Sequence, residues 1–253
     1  MTSLLSVENV SVRFGGLVAV SDASFQVRAG EICALIGPNG AGKSTLFNAV
    51  SGFVKTAAGT VRFDGRNVAG MRPDAIARIG MRRTFQNGGV FGQMSVLENV
   101  LTGLHVSTRR RIFGNALRLP SARAEEEASI RHACEILEAL DIADLAHARV
   151  EDLASGQQRL VEIGRALAQK AKLILLDEPA VGLSATDRAN LRKLLRRLAG
   201  EGIGILLVEH VLDLVMSVSD RIVVLKHGEI IADGTPSEVK SNPAVLEAYL
   251  GNE

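Results

Sequence analysis

No apolar run in this 253-residue chain approaches the roughly 18 residues that a membrane-crossing helix needs. The first ten residues, MTSLLSVENV, also lack a basic stretch followed by a long apolar core. The chain is therefore expected to meet any membrane from the cytoplasmic side without entering it. Cysteine is scarce: Cys33 and Cys134 lie far apart with no metal-ligand spacing, so packed, reduced thiols in a cytosolic protein are expected. Neither sign of charge is in excess, since 29 Lys and Arg against 28 Asp and Glu leave a net charge of +1. No global field draws the chain to nucleic acid or to anionic lipid. Low-complexity tracts and internal repeats are absent as well. At 26.9 kDa the chain is long enough to bury a full core and is not forced into two independent domains, so one core with an inserted lobe fits best.

What is present is a set of short buried strands. Val10, Val12 and Phe14 alternate as a half-buried strand does, and EICALIG is a continuous apolar run ending in glycine, the form of a central parallel strand. KLILLDEP and IGILLVEH repeat that form. Each run gives way to polar or glycine-bearing residues and then to a helical segment, which argues for an α/β sheet with ligands at the carboxyl ends of its strands. The last run stops at Glu209 and His210, and the placing of one of only five histidines there asks for a reason. Between residues 90 and 155 the pattern changes, with no strand runs of this type. Ile130, Ala133, Cys134 and Leu137 fall on one helical face opposite Glu127, Arg131, Glu135 and Glu138. The expected organisation is an α/β core over 1–89 and 156–235, an inserted helical lobe over 90–155 and a helical tail over 236–253. The basic cluster TRRRIFGNALR inside the lobe reads as a solvated loop, with a lipid-headgroup contact as the alternative.

GPNGAGKST satisfies G-x-x-x-x-G-K-[ST] through Gly37, Gly42, Lys43 and Ser44, and it lies between a buried strand and a helix-forming segment. Chance produces such a match in about one or two per cent of chains of this composition, so a coincidental glycine-rich turn is the weaker reading. Glycines let backbone N–H groups curl around phosphate oxygens, and the helix N-terminus adds a favourable dipole. Lys43 is then expected to reach the β and γ phosphates, and the Ser44 hydroxyl to ligate Mg²⁺. LILLDEP supplies an acidic strand end: Asp177 is placed to hold Mg²⁺, and Glu178 to orient or deprotonate the water attacking the γ phosphate. Taken alone, such a pair is more often a helix cap or a solvated turn.

LASGQQRLVEIGRALAQKAKLILLDEP resembles the signature segment of the ATP-binding cassette (ABC) family running directly into that family's catalytic strand. The resemblance implies a RecA-like P-loop core of ABC ATPase type, with an N-terminal antiparallel β region and an inserted helical subdomain. It implies that Pro38, Asn39, Gly40, Ala41 and Thr45 join the four motif residues in binding ATP. It marks Gln86 in RTFQN as the Q-loop glutamine, a Mg²⁺ ligand that senses a membrane partner, and Phe14 as the aromatic that stacks on adenine. Ser184 and Asp187 of SATD become the D-loop, and His210 the switch histidine at the γ phosphate, so that Lys43, Glu178 and His210 form the catalytic set. Each has a plainer reading: a core residue for Phe14, a solvated side chain for Gln86, a capped or surface residue for His210. One departure stands out. Where the family commonly has Leu-Ser-Gly-Gly-Gln, this chain has Leu153-Ala154-Ser155-Gly156-Gln157, so the hydroxyl that usually meets a partner's γ phosphate is absent at its expected place. Ser155 is a candidate substitute, and the N–H groups that open the following helix still suit an anion. Thr186 stands where leucine is common in the D-loop, a minor change.

Longer phrases narrow the resemblance. RFGGLVAVSDASF, RRTFQN, MSVLENVLTGLH, VEHVLDLVMSVSDRIVVL and LEAYLG are similar to the ATPase subunits of branched-chain amino acid importers. That implies Mg²⁺-dependent ATP hydrolysis coupled to import of branched-chain amino acids or a similar small solute, at the cytoplasmic face of a membrane. The implied partners are a second ABC ATPase subunit, identical or paralogous, two transmembrane permease subunits and an extracytoplasmic solute-binding protein, with no nucleic acid. Two rival readings are a cassette ATPase without a membrane partner and a nucleotide-gated regulatory scaffold. The first usually carries coiled-coil insertions or two cassettes in one chain, and neither is found here. The second predicts decay of the acid or of the switch, yet Glu178 and His210 are both in place.

Overall fold

Strands β1 (Ser3–Phe14) and β2 (Leu17–Arg28) form an antiparallel hairpin closed by Gly15 and Gly16, with Gly15 at φ +58. A register shift between Val7 and Val10, where Asn9 takes φ +51, lets Leu5 and Val7 and then Val10 and Val12 reach the same core. The computed structural model that shows this describes residues 3–84, 89–105, 120–168 and 171–250. After the short buried strand β3 (Ile32–Ile36) and helix α1 (Lys43–Val50), β4 (Ala58–Phe63) and β5 (Arg66–Asn67) complete a four-stranded sheet of order β2-β1-β4-β5, all antiparallel. This is the expected N-terminal antiparallel region.

The second sheet also contains β6 (Met81–Arg83), β7 (Leu173–Asp177), β8 (Gly204–Val208), β9 (Arg221–Lys226) and β10 (Glu229–Gly234), in the order β10-β9-β3-β8-β7-β6. All its pairings are parallel except that of β9 with β10. Strands β3, β7 and β8 are buried at every residue, the burial that uninterrupted Val, Ile and Leu runs require. Side chains alternate across this sheet. Cys33 and Leu35 join a core shared with α1 (Leu46, Phe47, Val50) and the antiparallel sheet, whereas Ala34 and Ile36 face Val215, Val239 and Val245. Burial pushes the Cys33 thiol far up, which keeps it protonated, as a packing cysteine should be.

Two compact units emerge, Met1–Arg83 with Lys172–Val181 and Arg188–Glu253, and Thr84–Ala171 with Gly182–Asp187. The first holds both sheets and the short helix α2 (Pro73–Arg78), with a tail of two short helices, α8 (Pro236–Ser241) and α9 (Pro243–Leu250). The second holds α3 (Val96–His105), α4 (Pro120–Ala139) and α5 (Ser155–Leu167). It therefore runs past residue 155, where the core was expected to resume, because α5 packs with the other two helices. A Cβ on Gly164 would lie 2.8 Å from Leu140 Cδ1 and 3.2 Å from Val100 Cγ2, so the glycine admits both neighbours. The apolar stripe of α4 is also displaced from its expected place. Ala133, Ile136 and Leu137 are buried and continue to Leu140, while Ile130 is 38 % exposed. The i, i+3, i+4, i+7 pattern starts at Ala133, one turn later than the sequence suggested.

Candidate functional site

Across the parallel sheet Leu35 pairs with Val208, and Val208 with Asp177. Strands β3, β8 and β7 therefore end level, and the turns that follow them leave from one edge. The turn after β3 is the glycine loop. A Cβ on Gly37 would sit 2.0 Å from the Leu225 carbonyl oxygen, whereas at Gly40 (φ +78) a Cβ would meet nothing within 4 Å. The loop is thus pinned against β9 at its start and open at its middle. Ala41 is buried, Pro38 and Thr45 are half-buried, and Asn39 and Ser44 are exposed. Gly42 precedes Lys43, the first residue of α1, whose Nζ donates to the carbonyl oxygens of Gly37 (2.7 Å) and Pro38 (2.8 Å). Burial lowers the pKa of this ammonium, and the charge of Glu178 acts in the opposite direction. A partly desolvated cation held across an open loop is suited to an anion.

The turn after β7 carries the two acids in different settings. Asp177 is buried, and its Oδ2 accepts from Arg83 Nη2 at 3.1 Å. Arg83 also donates through Nη1 to Asn48 Oδ1 (2.6 Å) and Ser51 Oγ (2.8 Å), with its guanidinium 4.6 Å from the Phe47 ring and 5.1 Å from the Phe53 ring. Burial works against the Arg83 charge and Asp177 works for it. Glu178 takes φ +47, an uncommon conformation for a non-glycine residue, with its N–H bonded to the Val208 carbonyl at 2.8 Å. His210 Nδ1 lies 3.7 Å from Glu178 Oε1 and 3.7 Å from Glu209 Oε2, in the turn after β8.

Lys43, Asp177, Glu178 and His210 are thus brought to one sheet edge, which gives the histidine at a strand end its place. Phe14 ends β1 and is 51 % exposed, so the core reading fails for it. Ala154 is the residue capping α5; Gln157 Oε1 accepts from its N–H at 3.1 Å, but alanine has no oxygen to return the bond. A Cβ on Gly156 would lie 3.0 Å from Asp187 Oδ2, and Ser155 is exposed. Ser184 and Asp187 cap each other at the start of α6 (Ala185–Gly200), with Ser184 Oγ donating to Asp187 Oδ2 at 2.7 Å and accepting from the Asp187 N–H at 3.1 Å. Gln86 and the basic cluster TRRRIFGNALR lie outside the described residues.

Sequence reasoning missed Arg83 and left Glu209 without a role. A usable signal for Arg83 was the period of two in RR at the end of β6, which puts only one of the pair on the α1 side. Among the described residues no group of three or more His, Cys, Asp or Glu forms a metal cage. The available oxygens, Ser44 Oγ and the Asp177 carboxylate, are the kind of sparse set that Mg²⁺ completes with phosphate and water. No described helix is long and apolar enough to cross a membrane.

Residues 20–181 match a family described as ABC transporter, and residues 229–253 one described as branched-chain amino acid ATP-binding cassette transporter. The chain is 39% identical over 249 residues to the high-affinity branched-chain amino acid transport ATP-binding protein BraF of Pseudomonas aeruginosa, covering 98% of each. It is 40% identical over 249 residues to the corresponding protein LivG of Salmonella typhimurium, again covering 98% of each. Among solved structures, the ADP conformation of MJ1267, an ATP-binding cassette of an ABC transporter, superimposes with a TM-score of 0.87 at 34% identity, covering 100% of both chains.

Proposed function

The chain belongs to the ABC transporter family of ATP-binding cassettes, and from that premise we propose that it hydrolyses ATP to power an importer of branched-chain amino acids or a similar small solute. The observation that carries the proposal is the level edge where β3, β7 and β8 deliver Lys43, Asp177, Glu178 and His210 together. In this reading the loop 37–42 and Lys43 bind the phosphates, which replace the loop carbonyls as partners of the ammonium. Phe14, exposed at the hairpin tip, stacks on the base.

Ser44 and Asp177 would hold Mg²⁺, with Gln86 as the further ligand expected from the family pattern. When bound, the ion would supply positive charge to offset that of the phosphates. Arg83 fixes the Asp177 carboxylate. Glu178 accepts the proton of the attacking water, and His210 contacts the γ phosphate. Ala154, Ser155, Gly156 and Gln157 lie at the start of α5, and Ser184 and Asp187 at the start of α6. They are suited to a nucleotide on a second cassette, whether identical or paralogous.

Two permease subunits and an extracytoplasmic solute-binding protein complete the proposed assembly, and the chain acts at the cytoplasmic face of the membrane as a peripheral subunit. The sheet-bearing unit serves as the ATPase core and the helical unit as its inserted subdomain. Lys43→Ala tests the site. Titration with a fluorescent ATP analogue should show tight Mg-ATP binding abolished in a folded variant, because the ammonium faces the ligand and not the core. Unchanged affinity would mean that nucleotide binds elsewhere.

A further inference from the structure

Glu209 has no part in the mechanism above, yet its side chain is fully buried, 0% exposed. A buried carboxylate is costly unless its oxygens are satisfied. Here three backbone N–H groups satisfy them. Oε2 accepts from His210 at 2.7 Å and Val211 at 3.0 Å, and Oε1 accepts from Ala180 at 2.8 Å. The first pair is a local turn that opens the helix α7 (Leu212–Val218), and a serine or threonine there is able to cap it. The third bond is of another kind. It spans 29 residues of sequence to the turn that carries Glu178.

From this we propose that Glu209 is a positioning residue for hydrolysis, holding the Glu178 turn and the His210 turn in one register through its two carboxylate oxygens. The strained backbone of Glu178 is the reason such a clamp is needed. A non-glycine residue at φ +47 persists only where its surroundings over-determine it. Two of the bonds that hold this turn come from β8 and its continuation: the Val208 carbonyl takes the Glu178 N–H at 2.8 Å, and Glu209 takes the Ala180 N–H two residues later. The same carboxylate fixes the His210 backbone, with His210 Nδ1 at equal distance, 3.7 Å, from Glu178 and Glu209. One side chain thus sets where the base and the switch stand relative to each other. Threonine, serine or asparagine at this place caps one turn only, because a second oxygen with this reach is required.

This inference rests on the proposed function, and its test separates the two. Glu209→Gln keeps volume but presents an amide NH₂ to at least one of the N–H donors. In the full-length chain, single-turnover hydrolysis should slow by about 10- to 100-fold, the scale for a small misplacement of catalytic groups. The KM for Mg-ATP should stay within about twofold, since the phosphate loop is untouched. The amide proton resonance of Ala180 should move with those of His210 and Val211. In a His210→Ala background Glu209→Gln should slow hydrolysis far less than in the wild type, because residues acting as a unit are non-additive. If Glu209→Gln yields no folded protein, Glu209→Asp carries the same test, as its shorter arm keeps the charge but cannot span both turns. Wild-type turnover in the variant, or an equal loss with and without His210, overturns the positioning role and leaves the proposed function intact. Failure of the wild-type assembled transporter to hydrolyse ATP instead overturns the proposed function itself.

Discussion

The carboxyl edge of the parallel sheet and the N-terminus of α5 are both made of motif residues, but they are built in opposite ways. At the sheet edge the partners come from distant segments. Arg83 reaches Asp177 across 94 residues and Glu209 reaches Ala180 across 29, and both acidic partners in these pairs are buried. At the start of α5 and of α6 the bonds are local and exposed: Ala154 to Gln157, and Ser184 to Asp187, each three residues apart. Long-range, buried pairing fixes geometry to the tolerance chemistry needs. A locally capped helix end presents N–H groups to a ligand and fixes nothing else. The first region is therefore sensitive to single changes and the second tolerant of them.

That contrast is open to measurement. The largest effect is expected at Arg83, because Arg83→Met removes a paired cation from the buried Asp177 carboxylate. Loss of one partner of a buried pair costs about 3–5 kcal/mol, which urea denaturation should report. A loss below about 1 kcal/mol, the value of an exposed pair, would put the Arg83 contact in the same class as the helix caps. In the second region Ala154→Ser should be tolerated. It restores the hydroxyl at the family position, supplies the missing acceptor of the α5 cap and strengthens ATP-driven cassette association by at most roughly 1.5–3 kcal/mol. Sedimentation with and without Mg-ATP measures it, and weakened association would show that packing requires a small side chain at 154. The smallest effect belongs to Ser184→Ala, which deletes one exposed cap. It should lower stability by about 1 kcal/mol in the same urea experiment.

The same contrast explains what the sequence disclosed. Strands β3, β7 and β8 were readable because uninterrupted apolar runs end at Gly37, Asp177 and Glu209, and the glycine loop was readable because its constraints are local. The reciprocal cap of Ser184 and Asp187 lies within four residues of sequence, although SATD was read only as the D-loop that the resemblance implies. Arg83 was not readable as the partner of Asp177, since nothing within its own segment says which carboxylate it meets. Glu209 was visible as a polar residue closing a buried strand, but its second oxygen finds Ala180 only in the folded sheet. The stripe of α4 was misplaced by a turn because Ile130 and Leu140 are equally apolar, and only the packing around Gly164 decides which is buried.

Asp177 and Glu178 concentrate the account in two adjacent residues, one buried against Arg83 and one at φ +47 beside His210. Their isosteric variants should therefore fail differently in single-turnover hydrolysis run alongside gel filtration in Mg-ATP, on the assembled transporter if the isolated chain stays monomeric. Glu178→Gln should keep Mg-ATP bound and accumulate a closed cassette pair while turnover falls by about 10²–10⁴-fold, the scale of general-base loss. Asp177→Asn should instead lose Mg²⁺-dependent nucleotide affinity and collect no closed pair. Hydrolysis at the wild-type rate by Glu178→Gln would contradict the assignment of this sheet edge as the catalytic site.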